Sequence, residues 1–106
     1  MPTPALLILC TAPDRNTAER LAKHLVEQGL AACVSLSSPV TSIYRWQGQI
    51  ETADEIQMLI KTTRQRYQAC ESALRADHPY ELPEIIAIPV EQGLDAYIDW
   101  VERCTD

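Results

Sequence analysis

The chain has 106 residues, 46% of them hydrophobic, and a formal charge of −6 from 15 acids against 9 bases, with no basic run. That is one α+β-sized domain with a normal share of core residues, and its acidic balance repels phosphate backbones, so no nucleic acid partner is expected. Met1-Pro2-Thr3-Pro4 carries no positive n-region, and the apolar run after it is too short to cross a bilayer, so the reading is no membrane and a cytoplasmic location.

Ala5-Leu6-Leu7-Ile8-Leu9-Cys10 is apolar at both parities, which predicts a central strand covered on both faces. Asn16 as N-cap with Glu19 three residues on predicts the start of a helix, whose apolar face is Ala18, Leu21, Ala22, Leu25 and Val26 and which Gly29 stops. Ala32–Leu36 alternates as a second strand, bends at Ser37-Ser38-Pro39 and resumes from Val40 to Trp46. Gln47-Gly48-Gln49 predicts a hairpin turn, after which Ile50–Thr62 returns as the third strand. Tyr67, Cys70 and Leu74, with Ala73 beside them, give a second amphipathic helix ending before His78-Pro79. Ile85–Val90 is the fourth strand, Gly93 turns the chain, and Leu94, Tyr97, Ile98, Val101 and Cys104 mark one face of a terminal helix.

The order β-α-β-β-α-β with a trailing helix predicts a single α+β domain over residues 1–106, a ferredoxin-like sandwich with strands in the order 4-1-3-2 and helices on one face. Strand 4 is then an edge, yet it is apolar on both faces, and the long hairpin overhangs so small a core. Pairing edges between subunits removes both difficulties, so a homo-oligomer closed as a ring is expected.

The unusual chemistry lies in Asp77-His78-Pro79-Tyr80-Glu81-Leu82-Pro83-Glu84. Pro79 biases His78 out of helical backbone space and Pro83 stiffens the exit; the plain alternative is a Pro-rich loop that ends a helix and launches a strand. In the predicted topology strands 1 and 4 are antiparallel neighbours, so Cys10 and His78 come to the same end of the sheet. A thiolate and an imidazole are donors that copper or zinc prefers, and Asp77 would add an oxygen. Cys33 falls at the opposite end of its subunit and would join such a site only from a neighbour. Cys70 and Cys104 lie on apolar helix faces as packing residues, and His24 faces solvent. No C-x-x-C is present, and in a reducing compartment the four cysteines are thiols.

With the elements placed, the chain resembles the CutA family of divalent-cation-tolerance proteins. The match is carried by Leu9–Asp14, Leu30–Val34, Val40–Gly48, Glu55–Met58, Ile60–Thr62, His78–Ile86 and Tyr97–Trp100, several blocks in one order along most of the chain. The resemblance implies a ferredoxin-like homotrimer with inter-subunit strand pairing. It also implies a role in tolerance to copper and other divalent ions, and copper bound through residues matching Cys10 and His78. Some relatives carry a second His where this chain has Asp77, and some a Cys nearer the H-P-Y segment than Cys70.

Three functions follow. The first is a metal-responsive binding protein that offers Cys10 and His78 to a copper ion, to zinc or to another divalent cation. The second is a trimeric scaffold resembling the nitrogen-regulatory PII proteins, holding a small molecule or protein in inter-subunit clefts lined by Cys33, Tyr44, Arg45, Trp46, Lys61 and Tyr80. No Gly-rich phosphate loop points to a nucleotide. The third, an enzyme built on a Cys-His pair, ranks last, because nothing marks an oxyanion hole or an orienting third residue. The chain is therefore read as not an enzyme.

Overall fold

A computed structural model describes residues 2–106. Its elements are β1 (Ala5–Ala12), α1 (Arg15–Glu27), β2 (Cys33–Leu36), β3 (Val40–Trp46), β4 (Gln49–Thr63), α2 (Tyr67–Asp77), β5 (Ile85–Pro89) and α3 (Asp95–Cys104), with a 3₁₀ turn at Arg64–Arg66 leading into α2. The antiparallel sheet runs β2-β4-β1-β5, with β3 also paired to β4. This is the ferredoxin-like α+β sandwich in the predicted order; the predicted second strand is divided into β2 and β3.

The division has a local cause. Leu36 stands opposite Met58 and Val40 opposite Glu55, so three residues, Ser37 to Pro39, face only two, Ile56 and Gln57. This is a β-bulge, where a strand tolerates a proline. Ser37 bridges it by donating its N–H to the Gln57 carbonyl at 3.0 Å and accepting the Gln57 N–H on Oγ at 2.9 Å. At the far end Trp46 pairs with Gln49 across a two-residue turn, with φ of 50° at Gln47 and 81° at Gly48. Positive φ at both positions makes it a type I′ turn, whose twist suits a hairpin.

Alternation on the central strands builds the core. Ile8, Cys10, Ile56, Met58 and Ile60 face Ala18, Leu21 and Leu25 of α1 and Cys70 and Leu74 of α2. Val26, at the margin of the α1 stripe, is exposed. On the other face Leu7, Leu9, Leu59, Ile86 and Ile88 fall in register, and Ile86 and Ile88 are half exposed. The terminal helix packs on β1 and β4 through Ile98 and Val101, outside the α1–α2 core. The expected terminal stripe is thus only partly buried: Leu94 and Tyr97 are exposed, and so is Cys104, which sequence periodicity had placed in packing. Among the described residues no helix is long and apolar enough to cross a membrane.

The start of α1 also differs from expectation. Asp14, not Asn16, is the N-cap: its backbone is extended (φ −156°, ψ 169°), and its Oδ1 accepts the Thr17 N–H at 2.8 Å. Asn16 is already inside the helix, where its side chain cannot serve the first turn. The Thr17 N–H, more than any other group, holds the Asp14 carboxyl below its ordinary 3.8. A depressed folded-state value contributes stability that is complete above the ordinary value and lost as pH falls through the folded one. Asp14→Ala is therefore expected to lower the thermal midpoint at neutral pH. The gap to the parent should close in acid, as melts across a pH series would record.

Candidate functional site

The strand ladders leave the Thr11 main-chain carbonyl uncovered. Thr11 stands opposite Gln57, but the N–H and C=O of Gln57 are taken by Ser37 on the β2 side. Thr11 and Gln57 are therefore a non-hydrogen-bonded pair, and the Thr11 carbonyl points away from β4. On that side β5 begins only at Ile85, opposite Cys10, so no strand reaches it. The His78 ring fills the gap, with Nε2 2.8 Å from the Thr11 oxygen. Its Nδ1 accepts the Tyr80 N–H at 3.1 Å, so the ring hydrogen sits on Nε2, which donates to Thr11. Pro79 makes this possible: it ends α2 at Asp77 and leaves His78 extended (φ −73°, ψ 134°), with the ring turned under the loop and buried.

Two residues further on, the Tyr80 hydroxyl donates to Glu55 Oε2 at 2.7 Å, and its ring lies 4.8 Å from that of His78. Glu55 is buried on β4 at the bulge. Burial, followed by the hydrogen bond to Glu55 and that carboxylate's charge, pushes the Tyr80 phenol well above its ordinary range, so Tyr80 remains a donor. Cys10 closes the group from the core side. Its Sγ is fully buried, 3.8 Å from the Thr11 oxygen, and the thiol is pushed up to about 12 by burial first and by the Glu84 and Glu55 charges second.

Cys10 and His78 thus converge on one carbonyl, at the end of the sheet that topology predicts. Each is already engaged: the thiol is protonated and enclosed, and both imidazole nitrogens serve the backbone. Asp77 is exposed, as the last residue of α2. Among the described residues no three His, Cys, Asp or Glu side chains gather as a metal cage. In the closed subunit these donors do not fit a resident metal ion.

The six expected cleft residues separate within one subunit. Tyr80 belongs to the His78 group, while Tyr44, Arg45 and Trp46 lie exposed on the β3 arm of the hairpin. Lys61 and Cys33 face each other across β4 and β2, with Lys61 Nζ 2.7 Å from Ser35 Oγ and 3.8 Å from Cys33 Sγ. Sequence reading missed Glu55 and the Thr11 carbonyl. Glu55 was visible only as the first residue of the Glu55–Met58 block. The Thr11 acceptor has no side-chain signature, because it arises from the unequal lengths of β1 and β5.

Residues 6–104 match the family model described as CutA1 divalent ion tolerance protein. The chain is 41% identical over 99 residues to the divalent-cation tolerance protein CutA of Thermus thermophilus, covering 93% of this chain and 96% of that one. It is 45% identical over 97 residues to the CutA protein of Pectobacterium atrosepticum, covering 92% and 88% respectively. Among solved structures, CutA from Xylella fastidiosa superposes with a TM-score of 0.96 at 45% identity, over 98% of this chain and all of that one.

Removing the His78 ring leaves the Thr11 carbonyl and the Tyr80 N–H without partners. His78→Ala is therefore expected to lower unfolding free energy by about 2–4 kcal/mol. Tyr80→Phe, which deprives only the buried Glu55 oxygen of a donor, should lower it by about 1–2 kcal/mol. Denaturant titration of the three proteins checks both the size and the order.

Proposed function

The chain belongs to the CutA1 family of divalent ion tolerance proteins, and from that premise we propose that it serves tolerance to divalent cations, copper foremost, as a non-enzymatic homotrimer of the cytoplasm. The observation that carries the metal reading is the meeting of Cys10 and His78 at the Thr11 carbonyl, under the charge of Glu55 and Glu84. Those carboxylates disfavour a bare thiolate and favour an entering cation, since a positive ion beside the sulfur offsets the charge that keeps it protonated. Thiolate and imidazole are soft and borderline donors suited to copper, and exposed Asp77 adds an oxygen beside His78.

The closed arrangement makes the ion a transient ligand, not a resident cofactor. Cys10 and His78 would hold an ion only with the His78–Glu84 segment lifted from Thr11 and Glu55, so ion binding would compete with the hydrogen bonds that hold the segment down. Binding and local opening are thereby coupled.

Self-association is supported by unsatisfied features of the single subunit. Among the described residues β5 pairs only with β1, which leaves its outer edge open in the single subunit. Ile86 and Ile88 present half-exposed side chains beside Leu7 and Leu9, and Ile43, Tyr44, Trp46 and Ile50 are exposed on the overhanging hairpin. Three copies related by a closed rotation cover edges and hairpins together. The four free cysteines accord with a reducing compartment.

Anaerobic titration with Cu(I), Cu(II) and Zn(II) against a competing chelator tests the proposal. One copper per subunit is expected, lost in Cys10→Ser and His78→Ala, while light scattering keeps three times the 11.9 kDa subunit mass. Tyr80→Phe should take up copper faster than the parent, because the segment it frees is the one that opens. Copper binding that survives both ligand substitutions would overturn the site, and a monomer would overturn the assembly.

A further inference from the structure

At the opposite end of the sheet a second group of reactive side chains meets, which the metal reading does not use. Cys33 opens β2 directly across from Lys61 on β4. The Lys61 ammonium donates to Ser35 Oγ at 2.7 Å, which holds it against the sulfur 3.8 Å away. From α3, Tyr97 lies close enough to Cys33 that its phenol is raised by burial first and by the neighbouring Cys33 second. Cys33 is partly exposed in the single subunit.

The other three thiols lack this combination. Cys10 and Cys70 are fully buried and both are raised by burial, and Cys70 also donates to the Leu30 carbonyl at 2.9 Å. Cys104 is exposed on α3. Buried thiols of this kind are inert, whereas an accessible thiol beside a cation is the reactive type.

We propose that Cys33 is a peroxide-reducing thiol, with Lys61 as the proton donor to the departing oxygen and Ser35 as the residue that positions Lys61. The thiol first releases its proton to solvent. The thiolate sulfur then attacks one oxygen of a hydroperoxide, forming an S–O bond as the O–O bond breaks. Sulfur is oxidised to the sulfenic acid, and the peroxide is reduced. The second oxygen leaves with the bonding pair and takes a proton from the Lys61 ammonium, giving water from hydrogen peroxide or an alcohol from an organic hydroperoxide. The Lys61 amine recovers its proton from solvent. An ammonium already in place beside the sulfur stabilises the negative charge that develops on the leaving oxygen without reorganisation.

The experiment is a pulse of limiting hydrogen peroxide on the reduced native protein, with dimedone present to trap sulfenic acid and peptide mass spectrometry to count it at each cysteine. Cys104 is the internal reference, an exposed thiol in the same molecule. Cys33 is expected to be trapped several-fold faster than Cys104. Lys61→Met should bring Cys33 down to the rate of Cys104 while leaving Cys104 unchanged, and Ser35→Ala should fall between. Trapping at Cys33 no faster than at Cys104 in the native protein would overturn the proposal, whether from chemistry or from burial in an assembly. A Cys33 rate unaffected by Lys61→Met would overturn it too. The native comparison needs no variant, so it stands even if a substitution disturbs folding.

Discussion

β4 runs for 15 residues, β1 for eight and β5 for five, and these unequal lengths in one sheet govern what surrounds them. Every strand group beyond the reach of a neighbour needs another partner, because an unpaired buried amide or carbonyl costs about as much as a lost hydrogen bond. Where β5 falls short of β1, the Thr11 carbonyl is left over, and the His78 ring takes it. Where β4 outruns β1, the hairpin with β3 extends into solvent carrying Ile43, Tyr44, Trp46 and Ile50. Where β5 ends the sheet, an edge stays open. The buried histidine and the overhang are two consequences of one mismatch, and the open edge follows from β5 lying last in the sheet.

The His78 segment is accordingly a structural cap before it is anything else. Its imidazole joins two stretches of backbone, and Tyr80 fastens the same loop to Glu55 on β4. Such a cap is compatible with metal response only if the ion competes with it. Beneath this cap Cys10 keeps its proton, held by burial first and by the Glu84 and Glu55 charges second.

Four cysteines in one small domain differ in chemistry because of what surrounds each. Cys10 and Cys70 sit among core side chains with their proton retained, Cys104 stands in solvent, and Cys33 meets an ammonium and a phenol. Nothing in their spacing along the chain distinguishes them. The distinction comes from strand register, which sets Lys61 opposite Cys33.

Much of the fold was legible in the residues. Apolar runs with period-two and period-3.6 patterns located the strands and helices, the β-α-β-β-α-β order with right-handed crossovers dictated the strand order, and antiparallel pairing of the first and last strands brought Cys10 and His78 to one end. The breaks were less clear: Pro39 announced a bend, but only the register of β4 shows that Ser37 bridges a bulge, and Asp14 prevailed over Asn16 as cap through its backbone angle. Side-chain type and periodicity are local properties, so elements, topology and candidate donors can be read from the sequence alone. Which donors are free is not local. The engagement of both His78 nitrogens, the enclosure of Cys10, the burial of Glu55 beneath Tyr80 and the exposure of Cys104 were decided by tertiary structure. Each depends on where a distant strand stops or a distant helix lands, and hydrogen bonds and desolvation act through space, without regard to separation along the chain.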